Sequence, residues 1–440
     1  MTPTSITLRE WESRDPDDSP ELAGQSLDNS PDARQMLGEL SRSRKLELTE
    51  LRSGLAIRAF SFVGRVRVGN LEITVVPKLR HSSLLNLLRY AYGFRHLHRV
   101  SRSSQFVEHG GFEDLLISQL NAEVEELIAG GLLRSYVERS EQLSSPRGRI
   151  DIDRYVTAAA ATTATLPCRH NPRVEDMILN RVLRAGLELA GSMAGSMQLR
   201  RDSRRWASVF ADSVSSLSLD AATLESAEQR INRLSKAYEP AISIIRLLAD
   251  SQGVALQGRT ATPHLSGFLF DMNAFFQALL SRFLRDNLPR HTVRDEFRLR
   301  GMMQYEAGFN PRRRQAPTPR PDFVVMNGAR VESVLDAKYR DLWERSLPGE
   351  MLYQLVVYAS SQQNLRTATI LYPATDRGAT ESRINISDPV FGTRLSQVCL
   401  RPVVLEKFEE LILSGNVTAA RRERVRFAQE LAFGTSAPRT

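Results

Sequence analysis

Residues 320–339 read Arg320-Pro-Asp-Phe-Val-Val-Met-Asn-Gly-Ala-Arg-Val-Glu-Ser-Val-Leu-Asp-Ala-Lys-Tyr339, two apolar runs on either side of an Asn-Gly pair. This pattern is typical of a β-hairpin. If the loop consists of residues 328–330, Asp322 lies opposite Asp336 on one face of the hairpin. A strict two-residue Asn-Gly turn would place Ser333 opposite Asp322 instead. The first register predicts a pair of carboxylates at one end of an apolar hairpin.

Strand alternation adds Lys338 to the face that carries Asp336, while the residues between them turn to the core. Two carboxylates and an ammonium group suit phosphodiester hydrolysis. Hard oxygen ligands hold Mg²⁺, and a lysine stabilises charge on the phosphate and orients or deprotonates the attacking water. The other interpretation is an ordinary surface hairpin with a salt bridge, because an acidic residue two positions before a lysine is a common pattern.

The segments around the hairpin predict a layered domain. Apolar periodicity predicts helices at Phe270–Leu288 and Glu350–Gln362, and strands at Thr292–Leu299, Pro321–Met326, Val331–Tyr339, Thr367–Tyr372 and Val398–Val404. Helix, three strands, helix and strand in this order indicate an α/β domain with a mixed sheet. Gln354 and Tyr358, four residues apart, share one face of the second helix.

The rest of the chain is β-rich at its start and helical in its middle. Strands are predicted at Ile6–Trp11 and within Leu46–Leu79, an extended segment at Ser144–Cys168, and helices at Ser82–Tyr92, Phe112–Gly130, Val174–Met193, Ser203–Val214 and Ala222–Ala249. Gln252–Pro263 is the predicted domain boundary. We therefore expect a multidomain α+β or α/β protein with four regions, at 1–165, 166–255, 262–415 and a basic C-terminal tail at 416–440.

Composition narrows the function. The 440 residues carry a net charge of +8 and only two cysteines, so neither a disulfide framework nor a cysteine zinc site is expected. A basic balance permits nucleic-acid binding without establishing it. The sequence lacks a G-x-x-x-x-G-K-[ST] loop, so we expect no nucleotide to be bound by this chain itself. A membrane span and a signal peptide are not expected either, and we predict a cytoplasmic location.

Asp322, Asp336-Ala-Lys338 and Gln354-x-x-x-Tyr358 together resemble the PD-(D/E)xK nuclease superfamily, in its subgroup with a Q-x-x-x-Y helix. More narrowly, the chain resembles the McrC family, the nuclease subunits of McrBC modified-cytosine restriction systems. The matching pieces lie in order over some 300 residues: Phe62-Val-Gly64, Ile73-Thr-Val-Val-Pro-Lys78, Leu84-Leu-x-x-Leu-x-Tyr-Ala-Tyr92, Gly131-Leu-Leu-Arg-x-Tyr-Val137, Arg147-Gly-Arg-Ile-Asp151, Asp176-x-x-x-Asn180-Arg-Val-Leu183, Asp271-Met-Asn273, Arg320-Pro-Asp322, Leu335-Asp-Ala-Lys-Tyr339 and Tyr353-Gln354.

The resemblance implies an Mg²⁺-dependent endonuclease for modified or foreign double-stranded DNA, in which Mn²⁺ can substitute. It implies a C-terminal PD-(D/E)xK domain with a mixed sheet flanked by helices. It also implies a McrB-like AAA+ GTPase ring as partner, engaged and stimulated through the N-terminal part at 1–165. Asp322, Asp336, Lys338 and Gln354 would be catalytic, with the Ala337 main-chain carbonyl joining the two aspartates around the metal.

One position departs from the family pattern, because Gln277 stands where the first nuclease helix would be expected to carry a glutamate. Five further residues are candidates for DNA contact: Arg312, Arg313, Arg314, Arg320 and Tyr358. Two alternatives stay open at this point. One is a stand-alone repair or recombination nuclease, and the other is a non-catalytic adaptor that only stimulates the AAA+ ring.

Overall fold

The computed structural model of the chain describes residues 4–26, 31–68, 70–79, 81–94, 111–158, 165–251, 267–361, 366–415 and 417–434. The predicted domain boundary at Gln252–Pro263 therefore lies outside the described residues. The described fold is mixed, with several sheets and many helices, which confirms the expected fold class in its coarse form. Among the described residues, no helix is both long and apolar enough to cross a membrane.

The helices of the described residues are α1 (Pro31–Arg42), α2 (His81–Tyr92), α3 (Phe112–Gly130), α4 (Ile152–Ala158), α5 (Ile178–Met193), α6 (Met197–Ala211), α7 (Ala221–Gln229), α8 (Glu239–Ser251), α9 (Met272–Asn287), α10 (Gly349–Ser360), α11 (Leu405–Leu413) and α12 (Thr418–Phe433). Two short 3₁₀ turns lie at Pro20–Leu22 and Lys236–Tyr238.

The strands are β1 (Thr4–Arg9), β2 (Ser13–Arg14), β3 (Leu46–Leu51), β4 (Gly54–Ala59), β5 (Phe62–Val68), β6 (Leu71–Val76), β7 (Ser135–Tyr136), β8 (Arg139–Leu143), β9 (Arg149–Ile150), β10 (Leu166–His170), β11 (Arg173–Val174), β12 (Gly267–Asp271), β13 (Thr292–Asp295), β14 (Phe323–Asn327), β15 (Arg330–Ala337), β16 (Thr367–Ala374), β17 (Ser382–Ser387) and β18 (Arg394–Val404). They form sheets ordered β1-β6-β5-β12, β2-β4-β3, β8-β10-β9, β11-β7 and β13-β14-β15-β16-β18-β17.

The chain divides into two compact units that are not contiguous in sequence. Unit 1 comprises Gly64–Glu72 and Phe94–Leu269, and unit 2 comprises Thr2–Val63, Ile73–Gly93 and Phe270–Thr440. The N-terminal residues thus belong to the same unit as the predicted nuclease region. The four predicted regions stay a prediction about functional parts of the chain.

Unit 1 is built around helices. The predicted apolar stripe of α3 is fully buried, because its residues recur at helical spacing and share one face: Leu115, Leu116, Leu120, Val124 and Leu127. Cys168 of this unit and Cys399 of unit 2 are both buried, and both have free thiols.

Two expectations for the middle of the chain are wrong. The segment 144–168, expected to be extended, contains helix α4. The single helix expected at Ala222–Ala249 is divided into α7 and α8. Asn232 and Ser235 cause the division, since the Asn232 Oδ1 accepts from the Leu234 N–H at 2.9 Å and the Ser235 Oγ accepts from the Asn232 N–H at 2.8 Å. Such side-chain bonds to the local backbone compete with the helix.

Unit 2 contains the six-stranded mixed sheet. β13, β14 and β15 pair antiparallel, β15, β16 and β18 pair parallel, and β17 pairs antiparallel with β18. Val334 packs into a core with Leu355 and Tyr358 of α10, whereas the hydroxyl of its neighbour Ser333 donates to the Ala432 carbonyl of α12 at 2.7 Å. Because successive residues of a strand face opposite sides, helices cover both faces of the sheet. The predicted strands and helices of this region are confirmed, and β17 and α11 were missed.

The hairpin has the predicted register, but its loop is one residue shorter than predicted. Asn327 pairs with Arg330, so the loop has two residues, Gly328 and Ala329. The register then shifts, because Glu332 is an extra residue on β15 and Val325 pairs with Ser333. This bulge supplies the residue that the sequence analysis assigned to the loop. Continued past Phe323 and Leu335, which pair, the register places Asp322 opposite Asp336.

The C-terminal segment was expected to be a basic tail. This expectation is wrong, because most of the segment forms helix α12. The ring of Phe427 lies 5.9 Å from that of Phe283 in α9 and 6.0 Å from that of Phe408 in α11. Phe427 and Leu431, four residues apart, form a buried stripe, while Arg421, Arg422 and Arg426 are exposed. The Arg424 Nη1 donates to the Gly415 carbonyl at 2.7 Å. The density of arginines concealed this amphipathic pattern.

We expect Phe427→Ala to lower the free energy of unfolding by about 3 kcal/mol, because it empties a site between three helices. Arg422→Ala, at an exposed position of the same helix, should change it by no more than about 0.5 kcal/mol. Urea denaturation of the two variants and the wild type measures both effects. Equal stability of the two variants would mean that α12 does not pack as described.

Candidate active site

The structure brings three predicted residues together at one end of the sheet. Asp336 is near the end of β15 and Lys338 directly follows the strand. The Lys338 Nζ lies 2.9 Å from the Asp336 Oδ2. Asp322, just before β14, accepts a hydrogen bond through its Oδ2 from the Ala337 N–H at 2.7 Å. A main-chain bond across the hairpin thus fixes the first carboxylate beside the second.

Asp336 is the most deeply buried of the three, with 1% of its surface exposed. Burial raises the pKa of its carboxyl, and the positive charge of Lys338 opposes that shift. Its Oδ1 has no hydrogen-bond partner among the described residues. A buried carboxylate oxygen without a partner is costly, and a bound cation or its water shell would satisfy it.

Asp322 is half-buried. Burial raises its pKa to about 6, and the charge of Asp336 adds to the shift. Lys338 and the Ala337 N–H act in the opposite direction. The two carboxylates therefore repel each other, and an additional cation at the site would relieve that repulsion.

Lys338 remains a cation. Burial alone would lower its pKa, but the charges of Asp336 and Asp322 outweigh burial and raise the pKa above its usual value. About a quarter of its side chain is exposed (26%). A lysine held in the protonated form stabilises negative charge and cannot accept a proton from water.

Gln277, the residue that departs from the family pattern, lies at the site. It belongs to α9, and its Nε2 donates to the Asp322 Oδ1 at 3.2 Å. Asp322 is therefore held at one oxygen by an amide and at the other by the backbone. A glutamate in this place would add a third negative charge next to two carboxylates that already repel.

Gln354 does not bond to either aspartate. Its Nε2 contacts the Tyr358 hydroxyl at 2.7 Å, and that hydroxyl donates to the Arg320 carbonyl at 2.9 Å. Gln354 is exposed and Tyr358 is buried. This chain of contacts ends at Arg320, two residues before Asp322. Gln354 and Tyr358 therefore help to position the segment that carries the carboxylate.

The other candidate residues are distributed around this centre. Arg312, Arg313 and Arg314 are exposed in the segment between β13 and β14. Arg320 is also exposed, and its Nη1 lies 3.4 Å from Glu296. The Ala337 main-chain carbonyl stays a predicted ligand.

A buried contact between Tyr339, which follows Lys338, and Glu10 was not predicted from the sequence. The Tyr339 hydroxyl lies 3.4 Å from the Oε1 of Glu10, which is only 2% exposed, and the Lys78 N–H donates to the same oxygen at 3.1 Å. Burial raises the pKa of Glu10 to about 7, although these bonds and the charge of Lys78 act to lower it. All three residues belong to unit 2. The available signal was the glutamate directly after β1, in line with the buried Ile6 and Leu8 of that strand.

The donor set fits a magnesium ion. Two carboxylates offer hard oxygen ligands, and Mg²⁺ is bound in proteins by one or two carboxylates while it keeps several waters. Within the described ranges, no group of three or more His, Cys, Asp or Glu side chains could hold a metal ion. Asp322 and Asp336 would hold the ion, at the place where an oxygen of Asp336 lacks a partner.

The family model for a McrBC 5-methylcytosine restriction system component matches residues 57–373. This range includes every residue of the candidate centre except Glu10. No curated protein matches this chain.

Two solved structures are similar in fold. The first is described as a refined half-complex from a tetradecameric assembly of Thermococcus gammatolerans McrB AAA+ hexamers with bound McrC. Its matching chain is 18% identical, with 97% of this chain and 100% of that chain covered and a TM-score of 0.60. The second, the Thermococcus gammatolerans McrBC complex, gives 19% identity, 66% and 90% coverage and a TM-score of 0.46. At this identity the first likeness shows a shared fold.

We expect Glu10→Gln to stabilise the protein at pH 8. Since the pKa of Glu10 is raised from 4.5 to about 7, the unfolded chain loses this proton first, and stability falls as the pH rises between those values. A shift of that size corresponds to about 3 kcal/mol, fully lost above about pH 7. Glutamine keeps the acceptor oxygen and does not ionise, so the variant should lack this part of the decline.

Thermal unfolding of the wild type and Glu10→Gln between pH 4.5 and 8 measures the difference. Glu47→Gln, at an exposed position of β3, is the control and should leave the pH dependence unchanged. A melting temperature of Glu10→Gln below that of the wild type at pH 8 would contradict the assigned burial cost.

Proposed function

The chain belongs to the family of McrBC 5-methylcytosine restriction system components, and from this premise we propose that it is the Mg²⁺-dependent endonuclease subunit of a GTP-dependent restriction complex. In this proposal it acts in the cytoplasm, and its C-terminal part is a PD-(D/E)xK nuclease domain that hydrolyses phosphodiester bonds in modified or foreign DNA. The observation that carries the proposal is the convergence of Asp322, Asp336 and Lys338 at one end of the mixed sheet.

Asp322 and Asp336, with the Ala337 carbonyl, would hold the metal. Mg²⁺ bound there, or Mn²⁺ in its place, would polarise the attacked phosphate and lower the pKa of a bound water. The Gln277 amide and the Ala337 N–H each donate to one oxygen of Asp322 and so fix the orientation of this carboxylate. Both carboxylates must be ionised for this role, and Lys338 favours their ionised forms.

Lys338 supplies positive charge to the phosphate. Its pKa is raised by the neighbouring aspartates, so it serves as a fixed cation aimed at developing negative charge rather than as a base. Gln354 and Tyr358 are positioning residues that hold the strand before Asp322 through the Arg320 carbonyl.

We propose a McrB-like AAA+ GTPase ring as the partner. The support is the family match and the fold shared with a chain of an assembly described as McrB AAA+ hexamers with bound McrC. The absence of a G-x-x-x-x-G-K-[ST] motif from this sequence fits a division in which the partner supplies GTP hydrolysis. The N-terminal part would stimulate that hydrolysis.

The purified chain alone should cut DNA poorly, and its AAA+ partner with GTP and Mg²⁺ should restore cleavage. The reason is that the proposed phosphodiesterase site belongs to a chain that depends on another subunit for nucleotide hydrolysis. Cleavage of methylated and unmethylated plasmid DNA, with and without partner and GTP, measures the dependence. Efficient cutting by the isolated chain without GTP would favour a stand-alone nuclease.

Asp322→Asn and Asp336→Asn should abolish cleavage, because each removes a charged ligand while it keeps the shape of the side chain. Lys338→Gln should slow cleavage on the order of 10²–10³-fold. Gln277→Ala should retain activity at a reduced rate, since it orients a ligand without supplying a charge. DNA cleavage and stimulated GTP hydrolysis are measured side by side.

All four variants should stimulate GTP hydrolysis normally, and Asp212→Asn, an exposed aspartate of unit 1, should resemble the wild type in both assays. Cleavage by Asp336→Asn at the wild-type rate would place the site elsewhere. Loss of all cutting in Gln277→Ala would mean that two carboxylates do not make up the site. A chain that stimulates GTP hydrolysis but never cuts would be the non-catalytic adaptor.

A further inference from the structure

The long connection between β13 and β14 is closed at its base next to the candidate centre. The Glu296 N–H donates to the carbonyl of Asp322 at 2.8 Å, and the Leu299 N–H donates to that of Pro319 at 2.9 Å. Leu299 is buried in the core formed with α10. We call residues 300–318 the arginine loop. Both ends of this loop therefore lie next to the segment that carries Asp322.

The tip of the arginine loop has a fixed conformation. The Asn310 side chain bonds to the backbone of Arg314 in both directions, since its Nδ2 donates to the carbonyl and its Oδ1 accepts from the N–H, each at 2.8 Å. The Phe309 N–H donates to the Glu306 carbonyl at 3.0 Å. Gly308 has a φ of +86°, which glycine adopts without strain. These bonds hold Phe309 and the arginines in one arrangement before any ligand arrives.

The side chains at this tip face solvent. Phe309 is 73% exposed, and Arg312, Arg313 and Arg314 follow it closely. No ion pair within the described part of the chain engages these three arginines. An exposed phenyl ring beside unpaired guanidinium groups is complementary to a nucleic acid, in which phosphates attract the cations and base faces accept the aromatic ring.

The loop is close enough to the candidate centre to share one DNA molecule with it. Arg314 and Asp322 are eight positions apart, and eight chain steps span at most about 29 Å. This distance corresponds to about eight base pairs of duplex at 3.4 Å each. Phosphates bound by the arginines would therefore lie within about one helical turn of the cut.

We propose that the arginine loop grips duplex DNA beside the cleavage site, with Arg312, Arg313 and Arg314 on phosphates and the Phe309 ring inserted against the bases. The inference rests on the proposed function for its substrate and adds a base-contacting residue to it. Apolar side chains that enter a duplex unstack a base step, and the unstacked step yields more easily to deformation at the cut.

The test uses the full chain with its AAA+ partner, GTP and Mg²⁺, in an Asp336→Asn background that prevents cutting of a 40-base-pair duplex probe. Phe309→Ala should weaken binding about tenfold. It should leave the salt dependence unchanged, because phenylalanine makes no ionic contact. Phe309→Trp should restore binding. The matched control is Phe391→Ala. Phe391 is 80% exposed in the turn between β17 and β18, and this substitution should leave DNA binding unchanged.

The arginines are tested by salt dependence. Arg312→Gln with Arg313→Gln should reduce the slope of log affinity against log salt by about two. Arg421→Gln with Arg422→Gln on the exposed face of α12 should not. Permanganate oxidation of thymines, which reports unstacking, should appear within about eight base pairs of the position that the complex with intact Asp336 cuts, and should disappear with Phe309→Ala.

The outcomes separate the two proposals. If Phe309→Ala binds DNA as Phe391→Ala does, with an unchanged permanganate pattern, the base contact is overturned while the nuclease proposal stands. If the loop variants behave as expected but the chain with intact Asp336 never cuts, the nuclease proposal fails and the grip stands. A complex that binds no duplex at all overturns both.

Discussion

The buried carboxylate of Asp336 is the constraint on which the rest of the site depends. A charge in an apolar strand is costly unless other groups compensate for it, and here the compensation is the ammonium group of Lys338 at 2.9 Å. With Asp322 alongside, the three side chains carry one net negative charge when both aspartates are ionised. The site is therefore stable enough to fold, and it retains an unsatisfied oxygen and a surplus of negative charge that favour a divalent cation.

The same balance of charges accounts for a neutral residue at position 277. Burial raises the pKa of Asp322 to about 6 and repulsion from Asp336 adds to the shift, and a third carboxylate would increase that repulsion. An amide donates a hydrogen bond to Asp322 without adding charge, so it orients the ligand and lowers the cost of the charged pair. The neutral residue thus matches a site whose single lysine can compensate for only one carboxylate.

Local patterns predicted the hairpin and its three polar residues, because strand alternation and turn chemistry act over a few residues. The register was right although Glu332 forms a bulge where a longer loop was expected, since the extra residue has the same effect on pairing in either place. Sequence could not predict the contact between Gln277 and Asp322, which lie 45 positions apart, or that between Glu10 and Tyr339, which lie 329 apart. Those contacts exist only once the tertiary fold brings distant segments together.

The contact of Glu10 with Tyr339 bears on which residues make up the proposed nuclease part of this chain. Tyr339 directly follows Lys338, and its hydroxyl is buried against a residue of the N-terminal segment. A fragment that began near residue 262 would lack Glu10, so the Tyr339 hydroxyl next to the lysine of the candidate centre would lose this partner. Glu10 thus packs against the residue that follows Lys338, although it is not one of the two proposed metal ligands. A displacement of Glu10, which directly follows β1, would therefore act on the residue next to Lys338.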